Sequence, residues 1–145
     1  MDATELRGEL AELPCFNLYL GWRRMQAFYK RFLGEGLNPQ RVYVLEILLA
    51  HRELGVAQLS GALDVDAPTM SGLLSRMQKE GLLERVRSKA DRREVRVALT
   101  RSGRTVAKRT EAAVAEADRQ LMAALNDRDV SALVRLVESL GALNR

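Results

Sequence analysis

The one cysteine of this 145-residue chain stands where a thiol could be reactive. Cys15 directly follows Pro14, and proline is typical of the first helical turn, where its missing N–H costs nothing. The unpaired N–H groups and the positive dipole end of a helix favour a thiolate there. A thiolate is the form that peroxides oxidise. The opposite interpretation, a buried structural cysteine, is the usual one for a lone cysteine.

Two tyrosines lie on the same predicted helix as this thiol. Tyr19 is four residues after Cys15, on the same helical face, and Tyr29 is fourteen residues after it, near that face. At ~1.5 Å per residue, Tyr29 is roughly 21 Å from Cys15 of its own chain. It could touch the cysteine of a second copy if the two helices cross antiparallel.

A second chemistry is phosphate binding. Residues 84–109 contain ten basic and three acidic side chains, a net charge of +7, whereas the whole chain carries only +4. Positive charge concentrated in one block is typical of nucleic-acid binding. Most charged runs are merely solvated surface, but the helices that precede this block favour the first interpretation.

Hydrophobic periodicity and capping residues predict the elements that position these groups. The predicted order is a helix over 13–33, a helix from Pro39 to about His51 capped by Asn38, a short helix over 56–63, a turn at 64–66, a helix over 67–80, strands at 82–87 and 94–99, a helix from Arg101 to about Leu125 capped by Thr100, and a last helix capped by Asp127. Two short helices joined by three residues, followed by a two-stranded hairpin, predict a winged helix-turn-helix.

We therefore predict one mainly α domain over 1–145 with a small β wing. The lobe at 39–99 is the predicted winged helix-turn-helix, and 13–36 and 101–145 are predicted dimerisation helices, because their apolar faces exceed what the lobe can cover. One cysteine and one histidine argue against a disulfide framework or a standard zinc site. We expect no metal or other cofactor, no membrane association, a cytoplasmic protein and no enzyme activity.

The segment Thr69-x-Ser71-x-x-Leu74-x-Arg76-Met77-x-x-x-Gly81-Leu82-x-x-Arg85, with Asp91-x-Arg93 and Leu99-Thr100-x-x-Gly103 after it, resembles the MarR family of winged helix-turn-helix regulators. The order of elements matches over roughly residues 13–143, and the specific motif lies in 56–103. The resemblance implies a homodimer that binds double-stranded DNA at a pseudo-palindromic operator. Together with the residue types it assigns DNA binding to Pro68, Thr69, Ser71, Gly72, Ser75, Arg76, Asp91, Arg92 and Arg93.

The residue types at these positions are compatible with that assignment. Small and hydroxylated side chains at the start of a recognition helix permit close approach to base edges and phosphates. Arg76 could contact a guanine or a phosphate, and Ser71 could instead bond its own helix backbone. The resemblance places Arg93 in the minor groove with Asp91 orienting it, although Asp91 is also an ordinary turn residue.

The run from Leu13 to Tyr19, with Tyr29 beyond it, resembles the organic-hydroperoxide sensors of the OhrR branch of this family. That resemblance implies Cys15 as the redox sensor, with Tyr19 and Tyr29 as hydrogen-bond partners of its sulfur. The chain departs from the branch at the start of the second helix, where Asn38-Pro39-Gln40-Arg41 lacks the usual tyrosine.

The leading functional prediction is a repressor that releases DNA when a peroxide oxidises Cys15. The alternative is a repressor released by a small phenolic or anionic ligand, with Cys15 structural. Two other functional classes have less support in the sequence. A thiol enzyme would have only His51 as an imidazole base, and a DNA-coating architectural protein would bind specific and random DNA almost equally.

Overall fold

The computed structural model describes residues 1–36, 38–91 and 93–145. In chain order its elements are α1 (Ala3–Leu10), α2 (Pro14–Leu33), α3 (Pro39–Ala50), β1 (Leu54–Gly55), α4 (Val56–Leu63), α5 (Ala67–Lys79), β2 (Leu83–Arg87), β3 (Val95–Leu99), α6 (Arg101–Ala124) and α7 (Asp127–Leu143). The mainly α class with a small β wing is confirmed, and each predicted helix and strand is present within a residue or two of its predicted ends.

Two elements, α1 and β1, were not predicted. Helix α1 begins with a capping box, in which the Asp2 carboxylate accepts from the Glu5 backbone N–H and Glu5 accepts from the Asp2 N–H, at 2.9 Å each. The Asp-x-x-Glu spacing was a readable signal for this helix.

The predicted cap of the last helix was wrong: Asn126 accepts the Asp129 N–H at 2.8 Å, and Asp127 is the first helical residue.

The wing has three strands, not the two that were predicted. The antiparallel order is β1-β3-β2, with Leu54 paired to Val97 on one side of β3 and Arg85 paired to Val97 on the other. β1 contains only two residues, so it is too short for a period of two to be visible in the sequence.

The hydrophobic core lies in the helix-turn-helix lobe and is closed by the start of α6. Its buried members are Val44, Leu45, Leu48, Leu59, Met70, Leu73, Leu74, Met77, Leu83, Val97, Leu99 and Ala107. Met70, Leu73, Leu74 and Met77 recur at helical spacing along α5, and each is at most 2% exposed, so they form its inward face. This packing holds α5 rigidly between α4 and the wing.

The helices outside the lobe remain poorly covered. α1, α2 and α7 contain no buried residue. On α7, Leu133, Val134, Val137 and Leu140 recur at helical spacing and stay 36–56% exposed. Among the described residues, no helix combines the length and apolarity needed to cross a membrane.

Candidate DNA-binding and sensing sites

The start of α5 is held by its capping residue. Asp66 accepts the Thr69 backbone N–H at 2.7 Å and the Thr69 hydroxyl at 2.9 Å. These hydrogen bonds hold the pKa of Asp66 below its ordinary value. The Thr69 hydroxyl therefore already donates within the chain, and the groups it leaves for an external partner are an oxygen acceptor and a methyl group.

The remaining predicted contacts of α5 differ in accessibility. Pro68 and Arg76 are exposed, whereas Ser71, Gly72 and Ser75 are half-buried. Ser75 faces the wing, because its Oγ lies 3.4 Å from Nη2 of Arg85 on β2. Arg85 also donates from Nε to Gln78 at 3.0 Å. Ser75 thus helps fix the wing against α5. Arg76 and Lys79 are the long cationic side chains that α5 presents to solvent.

The wing tip is shaped by short side chains. Ser88 is buried and its Oγ accepts the N–H groups of Ala90 and Asp91 at 3.2 and 3.3 Å. The Asp91 carboxylate accepts the backbone N–H of Arg93 at 2.9 Å. Asp91 therefore positions Arg93 through its backbone and leaves the exposed Arg93 guanidinium able to reach outward. Arg92, also assigned to DNA binding from the sequence, lies outside the described residues.

One member of the basic block has a structural role instead. Arg96 on β3 lies 3.8 Å from the Glu53 carboxylate, and it donates at 3.3 Å to both the Glu53 carbonyl and Gln58. It links β3 to the start of α4. The other described basic side chains of the block are exposed: Arg85, Arg87, Lys89, Arg93, Arg101, Arg104, Lys108 and Arg109.

Cys15 lies exposed in the first turn of α2. Its turn is held by Asn17, whose amide donates to the carbonyls of Ala11 and Leu13 at 2.7 and 2.9 Å. Tyr19, 55% exposed, carries the Arg23 guanidinium 5.9 Å from its ring centre. The thiol is therefore accessible and sits on an ordered helix start.

Tyr29 is engaged within its own chain. Its hydroxyl donates to the Asp118 carboxylate on α6. Burial, and then Asp118, raises the pKa of Tyr29, so the hydroxyl stays protonated and acts as a donor. To donate to a partner chain's sulfur, as the sequence led us to expect, Tyr29 would have to exchange Asp118 for that sulfur.

A cavity of about 290 Å³ opens beside this pair, between α2, α3 and α6. Its walls are mainly apolar and aromatic, and its polar groups include Tyr29, Asp118 and Gln26. The lining residues are Trp22, Met25, Gln26, Tyr29, Leu33, Pro39, Val42, Tyr43, Val114 and Asp118. None of these is basic. Nearby on α3, burial and the charges of Glu111 and Asp118 raise the pKa of Glu46.

Sequence reasoning missed the acidic members of this region. Tyr29 and Asp118 are 89 residues apart, and the packing of α2 on α6 alone brings them together. A weak signal was available, since Asp118 follows Val114 by one turn on the inward face of the amphipathic α6.

Comparison with known proteins identifies the family. The MarR family pattern matches residues 35–94. An organic hydroperoxide resistance transcriptional regulator of Bacillus subtilis (strain 168) is 36% identical over 105 residues, covering 70% of this chain and 67% of that protein. The HTH-type transcriptional regulator MgrA of Staphylococcus aureus is 35% identical over 99 residues, covering 67% of each.

Solved structures share the same architecture. The transcriptional repressor CouR, bound to a 23-mer DNA duplex, superposes with a TM-score of 0.79 at 26% identity, over 92% of this chain and 96% of that chain. A probable transcriptional regulator from Pseudomonas aeruginosa gives a TM-score of 0.79 at 29% identity, over 90% and 98%. The chain therefore belongs to the MarR family, and it is a DNA-binding transcriptional regulator rather than an enzyme.

Proposed function

We propose that the protein is a homodimeric repressor whose release from DNA is triggered when an organic hydroperoxide oxidises Cys15. The observation that carries this proposal is the exposed thiol in the first turn of α2. Support also comes from the Bacillus subtilis relative, which is named as an organic hydroperoxide resistance regulator. In the reaction the thiolate attacks the terminal peroxide oxygen and the O–O bond breaks. The sulfur keeps the hydroxyl group as a sulfenic acid, and the alkoxide that leaves takes a proton from water to become an alcohol.

A dimer would cover the apolar surface that the single chain leaves exposed. Residues 13–36 and 101–145 supply that surface, with the stripe on α7 as its clearest part. Two-fold symmetry would place two copies of α5 against an inverted repeat, with half-site centres roughly one helical turn, ~10 bp, apart. The DNA contacts would come from the exposed residues of α5 and from Arg93 on the wing.

The route from sulfur to DNA would be mechanical. α2 carries Cys15 at its start and packs on α6 through Tyr29 and Asp118, and α6 follows the wing directly. A larger, more polar sulfur at a dimer contact of α2 would shift α2 against α6, because dense packing cannot absorb it without movement. That shift would change the spacing of the two recognition helices.

The test uses DNA selected from random sequence, with binding measured for reduced and for cumene-hydroperoxide-treated protein. We expect the peroxide to abolish binding by the unaltered chain and a thiol reductant to restore it. The Cys15→Ser variant should bind as tightly as the reduced chain and ignore the peroxide. Tyr29→Phe should slow oxidation and keep reduced DNA binding. Release of the Cys15→Ser variant by peroxide would refute the redox switch.

The cavity favours a second candidate function, release by a small molecule bound between α2, α3 and α6. Its volume of about 290 Å³ and aromatic walls suit a small planar ligand. The ligand expected from the sequence was phenolic or anionic. Because Asp118 lines the cavity and none of the described lining residues is basic, a ligand that donates hydrogen bonds or carries positive charge fits better than an anionic one. Trp22, the only tryptophan, lines the cavity, so quenching of its fluorescence in Cys15→Ser protein would report binding.

A further inference from the structure

The end of the recognition helix α5 places two opposite charges one turn apart. Arg76 and Glu80 are four residues apart, and the backbone stays helical through Glu80, whose N–H donates to the Arg76 carbonyl at 3.1 Å. Side chains at this spacing lie on one helical face and commonly form an ion pair. An intrahelical pair would occupy the guanidinium that α5 presents to solvent.

The structure pairs Glu80 with a different cation. Its carboxylate contacts Nη2 of Arg41, which reaches across from the first turn of α3. Nη1 of Arg41 donates to the Gly36 carbonyl at 3.0 Å, and the Arg41 side chain is only 15% exposed. The guanidinium is thus fixed by two partners, which suits the planar fork of arginine.

Arg76 lies close to the Arg41–Glu80 pair but is not part of it. Burial, and then the positive charge of Arg76, lowers the pKa of Arg41, which reflects how near the two guanidinium groups lie. Within the described residues Arg76 forms no ion pair. Arg41, Arg76 and Glu80 therefore share one site. The Glu80 carboxylate is held by Arg41, the cation that is mostly buried.

We propose that Arg41 is a positioning residue for DNA binding. From α3 it holds the Glu80 carboxylate at the end of α5, and so it keeps the Arg76 guanidinium free for a DNA phosphate. The proposal rests on the role of α5 as the recognition helix. Without Arg41, Glu80 would have Arg76 as the cation on its own helical face. The intrahelical pair would then remove one phosphate contact per protomer.

The test measures DNA affinity against salt concentration by fluorescence anisotropy, with the duplex selected from random sequence. One phosphate contact contributes a slope of ~0.9 in log affinity against log salt, which is about fivefold in affinity at ~0.15 M salt. We expect Arg41→Gln to lose about that much slope and affinity per protomer. Arg76→Gln should lose the same amount, and adding Arg41→Gln to it should lose no more.

The decisive variant is the double change Arg41→Gln with Glu80→Gln. It removes the carboxylate that would capture Arg76, so affinity and slope should return to the values of the unaltered chain, and Glu80→Gln alone should also keep them. A double variant that stays weak would overturn the proposal, because Arg41 would then contact DNA itself or merely support the fold. Unchanged binding by Arg41→Gln would overturn it as well.

Two measurements keep the result interpretable. Arg41→Lys retains a cation for Glu80 and should keep the full slope even if Arg41→Gln unfolds the chain; a lost slope in folded Arg41→Lys protein would count against the proposal. If Arg76→Gln leaves the slope unchanged, the assignment of Arg76 to DNA fails. In that case Arg41→Gln would lose no affinity by freeing Glu80 to pair with Arg76, and the double variant would have no such loss to restore. The two failures are therefore distinguishable.

Discussion

Gly103 is the position where the smallest substitution should have the largest structural effect. It is buried in the first turn of α6, and a Cβ built on it would overlap the backbone carbonyl of Leu82. Because the obstacle is backbone, no side-chain rotation can relieve it. Gly103→Ala must push α6 away from Leu82, which lies between α5 and β2.

The magnitude follows from the contacts at this junction. The Thr100 N–H donates to the Leu82 carbonyl at 3.1 Å, and the Thr100 hydroxyl donates to the Gly81 carbonyl at 2.5 Å. Overpacking typically costs ~1–3 kcal/mol, and each weakened hydrogen bond adds up to ~1 kcal/mol. Alanine returns ~1 kcal/mol through helix propensity. We therefore expect Gly103→Ala to lower the free energy of unfolding by about 2 kcal/mol.

The assay is urea unfolding followed by circular dichroism, at one protein concentration because dimerisation would add to the apparent stability. Gly61→Ala is the matched control, since Gly61 lies in α4 and, apart from its chain neighbours and its own helix backbone, no described atom lies within 4 Å of a built Cβ. It should raise stability by about 0.5–1 kcal/mol. If Gly103→Ala proves as stable as the Gly61→Ala control, the close approach of α6 to Leu82 is refuted.

Two further predictions concern the wing and the acidic region. Arg93→Ala should weaken DNA binding and lower its salt slope by about one unit, whereas Arg119→Ala, on the exposed face of α6 beside Glu116, should change neither; equal slopes for both variants would remove the wing from the interface. Glu46 has a pKa raised above its ordinary 4.5 by burial and then by Glu111 and Asp118, so its contribution favours folding at low pH and is lost as pH rises through the raised value. Glu46→Gln should therefore raise the melting temperature at pH 7 relative to the unaltered chain, and the gain should shrink as pH falls towards 4.5; a gain independent of pH would contradict the assignment.

The sequence alone determined the elements whose causes are local. The caps at Asn38 and Thr100 act over three residues, and each accepts the N–H that its sequence position predicts. The buried face of α5 follows from helical spacing in the same way. The family resemblance also rested on this stretch, because motif, turn and wing lie in one continuous segment. These features were predictable because the residues that create them are close neighbours along the chain.

Tertiary structure decided the partners of the polar side chains. Tyr29 was expected to form a hydrogen bond with the sulfur of Cys15, yet the packing of α2 on α6 makes Asp118 its partner. Glu80 has a helical neighbour in Arg76, yet the approach of α3 gives it Arg41. β1 exists only because its two residues, Leu54 and Gly55, pair with the edge of β3. In each case several partners satisfy the same chemistry, and only the relative placement of distant helices and strands selects one of them.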